Sequence, residues 1–325
     1  MYSLVPEKPL RLVYEPFFDT IRRLSLYEAI KHNQQPRNPE MTSPRTLLNA
    51  YNIRAKKNLG QSFLSDPSTA RMIVNRGKIT PEDVVLEIGA GLGALTLPVS
   101  HIAQKVFAVE KDRQIIDLLK TQILASDLSN VVLMDNNILD IDINALADKA
   151  KSKIVVIGNL PYNISSQILV KLIESRRNVS RAILMFQKEL AQRITARPGC
   201  KDYSRLSVML QYCAEIKSLA TVKANLFFPK PKVDSEVLEI KFKDKPDFPA
   251  GDERFLFEVI KAAFGKRRKT LKNALSKSLL HINGKTALEA LNRSGVDSGR
   301  RAETLTVSEF VNLSNCLNEI LALPQ

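Results

Sequence analysis

Only three cysteines, Cys200, Cys213 and Cys316, and three histidines, His32, His101 and His281, occur in 325 residues. The cysteines have neither metal-ligand spacing nor the even count of a disulfide framework, so they read as reduced thiols. The histidines are isolated and read as surface or packing residues, and no metal site follows. No run of about eighteen apolar residues exists, which excludes a membrane-spanning helix. Nor does the start show the charged-then-apolar pattern of a secretory signal, and Glu7, Glu15, Asp19 and Glu28 argue against a transit peptide. The expected location is the cytoplasm. There are no internal repeats.

What is abundant is positive charge. Lys and Arg number 48 against 34 Asp and Glu, a net charge of +14 and a pI near 9.6, the kind of field that draws a polyanion to a surface. The charge is uneven: Met41 to Thr80 holds seven Lys or Arg and one acid, and Gly265 to Lys272 reads GKRRKTLK. With 44% hydrophobic residues the chain can bury at least one full core. Residues 1–40, carrying Pro6, Pro9, Pro16, Pro36 and Pro39, read as an N-terminal extension of unknown role, either dispensable or the product of an upstream start codon.

Two stretches organise the rest. Val84 to Gly93, VVLEIGAGLG, and Ile154 to Tyr162, IVVIGNLPY, are apolar runs without polar alternation, each followed at once by a turn. That pattern marks strands buried on both faces of a parallel sheet, with the two turns side by side at its carboxyl edge, where open α/β sheets bind ligands. Further strands are expected at Lys105–Glu110, Val131–Met134 and Arg181–Phe186. Helices are expected over Asp66–Asn75 with Asp66 as cap, after the glycine turn through Ile102, over Asp112–Leu124 and over Ser165–Glu174. Alternation of this kind specifies a doubly wound, Rossmann-like α/β domain. Ser218–Phe227 and Val233–Phe242 read as an antiparallel pair bracketing FFPKPK. Beyond a linker at PDFPAGD no strand signal remains, and Thr306 with Glu309 could form a capping box. The organisation expected is an extension over 1–40, a catalytic domain over 41–245 and a small all-helical domain over 246–325.

Gly89, Gly91, Gly93 and Ala94 satisfy G-x-G-x-x-[G/A], with Glu110 about twenty residues on. NAD dehydrogenases and methyltransferases both need a close backbone approach at such a turn and an acid to accept two ribose hydroxyls. Glu87, just before the turn, separates them, because a carboxylate there suits a cationic ligand better than a pyrophosphate. S-adenosylmethionine carries both a sulfonium and an ammonium group. Asp135 could accept the amino hydrogens of that cofactor's adenine. Asn159-Leu160-Pro161-Tyr162 is the sharpest feature: the Asn159 oxygen and the Leu160 carbonyl can accept both hydrogens of an exocyclic amine, turning its lone pair toward a methyl donor, while Tyr162 stacks on a flipped base.

The motifs QSFL (Gln61 to Leu64), EIGAGLGALT, NLPYNIS, FFPKPKVDSEV and AFGKRRKTLKNAL, in this order, are similar to those of the small-subunit ribosomal RNA adenine N6,N6-dimethyltransferase family, from about Ile53 to Phe310. The resemblance implies a class I methyltransferase that uses S-adenosyl-L-methionine to place two methyl groups on N6 of each of two adjacent adenines near the 3′ end of small-subunit rRNA. It also implies an action late in assembly of the small ribosomal subunit; a monomer without metal or membrane is expected. Carried over, the cofactor contacts are Ser62, Leu64, Gly89, Glu110, Asp135 and Asn159. The target base lies between Tyr162 and Phe227, and Lys266, Arg267, Arg268, Lys269 and Lys272 contact RNA phosphates. Ser62 departs from the family's usual asparagine, which bears on cofactor affinity. The alternatives are a large-subunit rRNA adenine methylase of the macrolide-resistance type and a non-catalytic RNA-binding assembly factor. The KRRKTLKNAL helix and the RAETL segment, Arg301 to Leu305, favour the small-subunit branch.

Overall fold

The structure, a computed structural model, describes residues 43–266 and 268–322. The extension expected over residues 1–40, and Arg267 of the basic cluster, lie outside the described residues. The chain divides into two compact units, the first reaching Ser165 and including Thr221–Asp234, the second comprising Ser166–Ala220 and the chain from Ser235 onward.

The first unit runs through α1 (Pro44–Ala50), β1 (Phe63–Leu64), α2 (Pro67–Arg76), β2 (Val84–Ile88), α3 (Thr96–Ser100), β3 (Lys105–Glu110), α4 (Arg113–Ala125), β4 (Val131–Asp135), α5 (Ile143–Ala150) and β5 (Ile154–Asn159). Its sheet is parallel, in the order β4-β3-β2-β5. The next strand in sequence lies on one side of β2 and β5 lies on the other, so the order reverses at β2 and opens a crevice at the strands' carboxyl ends. All five residues of β2 are buried, Glu87 included, as a strand covered on both faces requires. Asp66 caps α2 as expected, its carboxylate accepting from the Thr69 N–H at 2.9 Å, with Pro67 at the first helical position. Ile115, Ile116, Leu119 and Ile123 form the buried face of α4, matching the sequence pattern.

The glycine turn departs from expectation. Instead of a helix running on through Ile102, α3 spans five residues and starts only at Thr96. Gly89, Gly91 and Gly93 have φ of +72°, +54° and +85°, values no right-handed helix contains. At Gly93 a Cβ would also stand 2.8 Å from Leu119 Cδ1 of α4, so a side chain there would be strained by its positive φ and would have to displace Leu119.

The second unit contains α6 (Ser165–Glu174), β6 (Val179–Gln187), α7 (Lys188–Thr195), α8 (Arg205–Cys213) and β7 (Ala214–Val222). After β8 (Phe227–Phe228), which belongs to the first unit, come β9 (Ser235–Phe242) and the helices α9 (Glu253–Phe264), α10 (Leu271–Leu275), α11 (Gly284–Arg293) and α12 (Val307–Ala322). β6 and β9 pair antiparallel, Ala182 opposite Ile240 and Leu184 opposite Leu238. The two expected strands do lie side by side at the sheet's edge, β7 next to β9, but the first is shorter: β7 ends at Val222, a 3₁₀ turn occupies Ala224–Leu226, and β8 pairs with β1, Phe228 opposite Phe63 and Phe227 opposite Leu64. Asp234 drives the break, accepting from the Ala224 N–H at 2.9 Å and closing residues 224–234 into a loop. Helices α7 and α8 carried no signal that the sequence reading used. Beyond Phe242 the described residues hold helices and no strand, and the capping box forms, with Thr306 N–H donating to Glu309 at 2.7 Å and Glu309 N–H to Thr306 Oγ1 at 3.2 Å. In the basic run Gly265, Lys266 and Arg268 lie in turn and Lys269 in a bend, and helix begins only at Leu271.

Candidate active site

At the switch point the first unit encloses a cavity of about 200 Å³. It brings together Ser62, Leu64, Gly89, Glu110, Asn159, Leu160 and Tyr162 from the expected set, and Glu87 behind the turn. The register explains why: β2 is bonded to β3 on one side and β5 on the other, so the residues that follow each strand converge at one edge.

Glu110 ends β3 with its carboxylate held by three backbone donors. Oε2 accepts from Gly91 N–H at 3.0 Å, and Oε1 from Lys111 and Asp112 N–H at 2.8 and 2.9 Å. Burial raises its pKa, and these donors offset part of the rise. The glycine turn and the acid are thus one rigid piece. Glu87 is 1% exposed, and burial pushes its carboxyl up to about 8, with Glu110 nearby adding to the rise. Thr96 offsets only part of this. Neither Glu87 Oε2 nor Thr96 Oγ1 has a partner at hydrogen-bond geometry among the described residues. A buried carboxyl oxygen left unmatched beside a cavity fits a ligand that brings positive charge.

Asn159 ends β5, and its Nδ2 donates to the Ser62 carbonyl at 2.8 Å. A carbonyl can only accept, so the amide's nitrogen end is fixed there and its oxygen is the end left to accept from a ligand. The Pro161 carbonyl accepts from Ser165 Oγ at 2.9 Å and from Ile164 N–H at 3.2 Å, which pins the turn holding Leu160 and Tyr162.

Two expected residues lie outside the cavity lining. Asp135 is opposite Glu110 in the β3–β4 register, but its carboxylate accepts from Arg113 Nε at 2.9 Å, and the lining residues beyond β4 are Asn136, Asn137 and Ile138. Phe227 is 4% exposed in the β1–β8 pair. Phe228 is the half-buried one of the two, packed against the cluster of Leu48, Phe63 and Leu92, with the Arg45 guanidinium 5.2 Å from its ring centre. Lys266, Arg268 and Lys269 of the basic cluster are exposed in the second unit, and Lys272 is half-buried.

Sequence reading missed the contacts that hold the cavity wall at Gln61. Asp112, 3% exposed, accepts from Lys56 Nζ and from Gln61 Nε2, both at 2.8 Å, while Gln61 Oε1 accepts from Lys56 N–H at 2.7 Å. Gln61 stood in a quoted motif and Asp112 two residues past Glu110, yet their pairing spans 51 positions and leaves no local trace.

A dinucleotide enzyme would need this turn to hold a pyrophosphate, and a buried carboxyl behind it opposes that. With an oriented amide acceptor on the neighbouring strand, fold and site define a class I methyltransferase. The family model for ribosomal RNA adenine dimethylase matches residues 52–319. A ribosomal RNA small subunit methyltransferase A from Desulforapulum autotrophicum is 50% identical over 277 residues, 85% of this chain and 97% of its own. One of the same description from Clostridium botulinum is 38% identical over 275 residues, 85% of this chain and 98% of its own. Among solved structures, a dimethyladenosine transferase from Plasmodium falciparum is similar with a TM-score of 0.67 at 27% identity, covering 77% of this chain and 95% of that one. The chain belongs to the ribosomal RNA adenine dimethylase family.

Proposed function

We propose that this protein transfers methyl groups from S-adenosyl-L-methionine to N6 of two adjacent adenines near the 3′ end of small-subunit (16S) rRNA, giving N6,N6-dimethyladenosines, late in small-subunit assembly. The observation that carries the reading is the Asn159 amide, oriented by Ser62 with its oxygen available to accept, at the edge that also bears the glycine turn and Glu110.

The residues fit the cofactor. Glu110 accepts the ribose hydroxyls, Gly89 admits close approach, and Ser62 and Leu64 close the cavity from the β1 side. Glu87 answers the positive charge, and Asp135, with Asn136 beside it, serves the adenine end. When bound, the cofactor supplies an electrophilic methyl group. The chain supplies orientation: the Asn159 oxygen and Leu160 carbonyl accept the two hydrogens of the target amine and turn its lone pair outward, and Tyr162 and Phe227 flank the base. No general base is needed, because the amine's proton becomes acidic once the nitrogen is alkylated. Lys266, Arg268, Lys269 and Lys272 neutralise RNA phosphates. Residues 41–245 act as the methyltransferase and 246–325 as the part that binds RNA or ribosome, in a cytoplasmic monomer.

The test is transfer from labelled S-adenosylmethionine to small subunits from a strain lacking the modification, followed by nucleoside mass spectrometry. Dimethyladenosine in small-subunit rRNA supports the reading. Product confined to large-subunit rRNA would replace it with the resistance-type activity, and tight particle binding without product with an assembly factor.

A further inference from the structure

We propose that Gln61 is a positioning residue for methyl transfer: clamped between Asp112 and the backbone of Lys56, it fixes the Ser62 carbonyl that sets which end of the Asn159 amide faces the substrate. The inference rests on the transfer reading above and concerns a residue of the cavity wall whose side-chain amide is committed to Asp112 and Lys56 and to which that reading gives no contact with methyl donor or target amine.

Both ends of the Gln61 amide are engaged, Nε2 donating to Asp112 Oδ2 at 2.8 Å and Oε1 accepting from Lys56 N–H at 2.7 Å. Asp112 is itself immobilised. Its other oxygen accepts from Lys56 Nζ at 2.8 Å and from Gln114 N–H at 3.2 Å, and its own N–H donates to Glu110. One buried residue therefore ties the loop that precedes β1, through its carboxylate, to the acid at the end of β3, through its N–H. The next residue uses this anchor twice: the Ser62 carbonyl accepts from Asn159 Nδ2 at 2.8 Å, and Ser62 Oγ donates to the Pro229 carbonyl at 2.9 Å. Phe63 and Leu64 then pair with Phe228 and Phe227. From Gln61 to Leu64 every residue is held, and the chain of contacts ends on the amide that must present an acceptor. Were the Ser62 carbonyl to move away, the Asn159 amide could rotate and meet the incoming amine donor to donor. Displacements of about 1 Å at such a contact lower rates by about 100-fold.

Gln61→Glu sets a carboxylate against Asp112 and removes the donor. Adding Asp112→Asn restores the pair with its polarity reversed: the amide introduced on α4's cap donates to the carboxylate introduced in the loop, while Lys56 N–H still has its acceptor. Two readouts apply: the single-turnover rate of methyl transfer at saturating cofactor, and the Asn159 side-chain amide signal in NMR, assigned with Asn159→Ala. The expected result is a rate about 10- to 100-fold lower in Gln61→Glu, a displaced amide signal, and recovery of both in the double variant, the rate to within about threefold. An unchanged rate, a lowered rate with the amide signal in place, or no recovery in the double variant overturns the proposal. Should Gln61→Glu fail to fold, Gln61→Met removes both hydrogen bonds without a charge, and the same two readouts decide. If the unaltered protein transfers no methyl group, the proposed function fails while the amide signal still tests the clamp.

Discussion

At Glu87 the burial of a carboxyl with one oxygen unmatched has thermodynamic consequences of opposite sign for the free and the liganded protein. Its pKa rises from 4.5 to about 8 because the site is buried. The proton is therefore held by the folded state and not by the unfolded one between those values. Its stabilising contribution is complete below about pH 4.5 and is lost as pH rises through about 8, at up to about 1.4 kcal/mol per pH unit. Glu87→Gln, permanently neutral, is expected to raise the melting temperature at the alkaline end of that window and flatten its pH dependence. Cofactor affinity should move the other way, strengthening in the native protein as Glu87 ionises and becoming weaker and nearly pH-independent in Glu87→Gln, as calorimetric titration across the window will show. Asn159→Ala removes the oriented acceptor and should lower single-turnover methyl transfer by about 100- to 1,000-fold. A drop below tenfold would mean that the Leu160 carbonyl alone positions the amine. Glu87, Glu110 and Asn159 were legible because each ends or closely follows an apolar run. The partners that hold them were not: Gln61 and Asp112, or Asn159 and Ser62, meet across 51 and 97 positions, and no periodicity records a side-chain hydrogen bond.

Strands β2 and β5 approach closely enough that Gly158 is a constraint on the element rather than on the site. A Cβ at that position would lie 2.5 Å from the Ile88 carbonyl oxygen, a backbone atom of the paired strand that cannot swing aside. Gly158→Ala is expected to cost about 2–3 kcal/mol, read as a lower urea midpoint at unchanged slope, with activity falling as well because Asn159 is the next residue. The parallel strands and their helices were readable because burial on both faces writes itself as an uninterrupted apolar run and amphipathic helices as a 3.6-residue stripe. The regions misread are those governed by a single side chain or by backbone sign. Asp234 cuts the strand expected to reach Phe227, and three positive φ angles delay the helix after the glycine turn. The two-residue strands β1 and β8 are too short for any pattern, and their pairing was visible only in three dimensions.

Across the whole molecule the +14 charge sets how binding depends on salt. If Lys266, Arg268 and Lys269 meet phosphates, replacing all three by alanine should reduce the slope of log K against log salt by about 2–3 for small-subunit rRNA, with cofactor affinity unchanged. Filter binding at several salt concentrations checks this, and an unaltered slope would remove these residues from the interface. The pairing of β1 with β8 has a consequence in time. Ser62 and Pro229, which it brings into contact, stand 167 positions apart. A ribosome elongating at roughly 5–20 residues per second finishes β5 several seconds before it makes Pro229. The glycine turn and its acids can therefore be in place on a nascent chain while the segment that braces Ser62 has not yet been translated. The glycine turn, Glu110 and the Asn159–Tyr162 turn are all made before Phe227 and the Pro229 carbonyl, so the last parts to arrive are one flank of the base and the brace on Ser62.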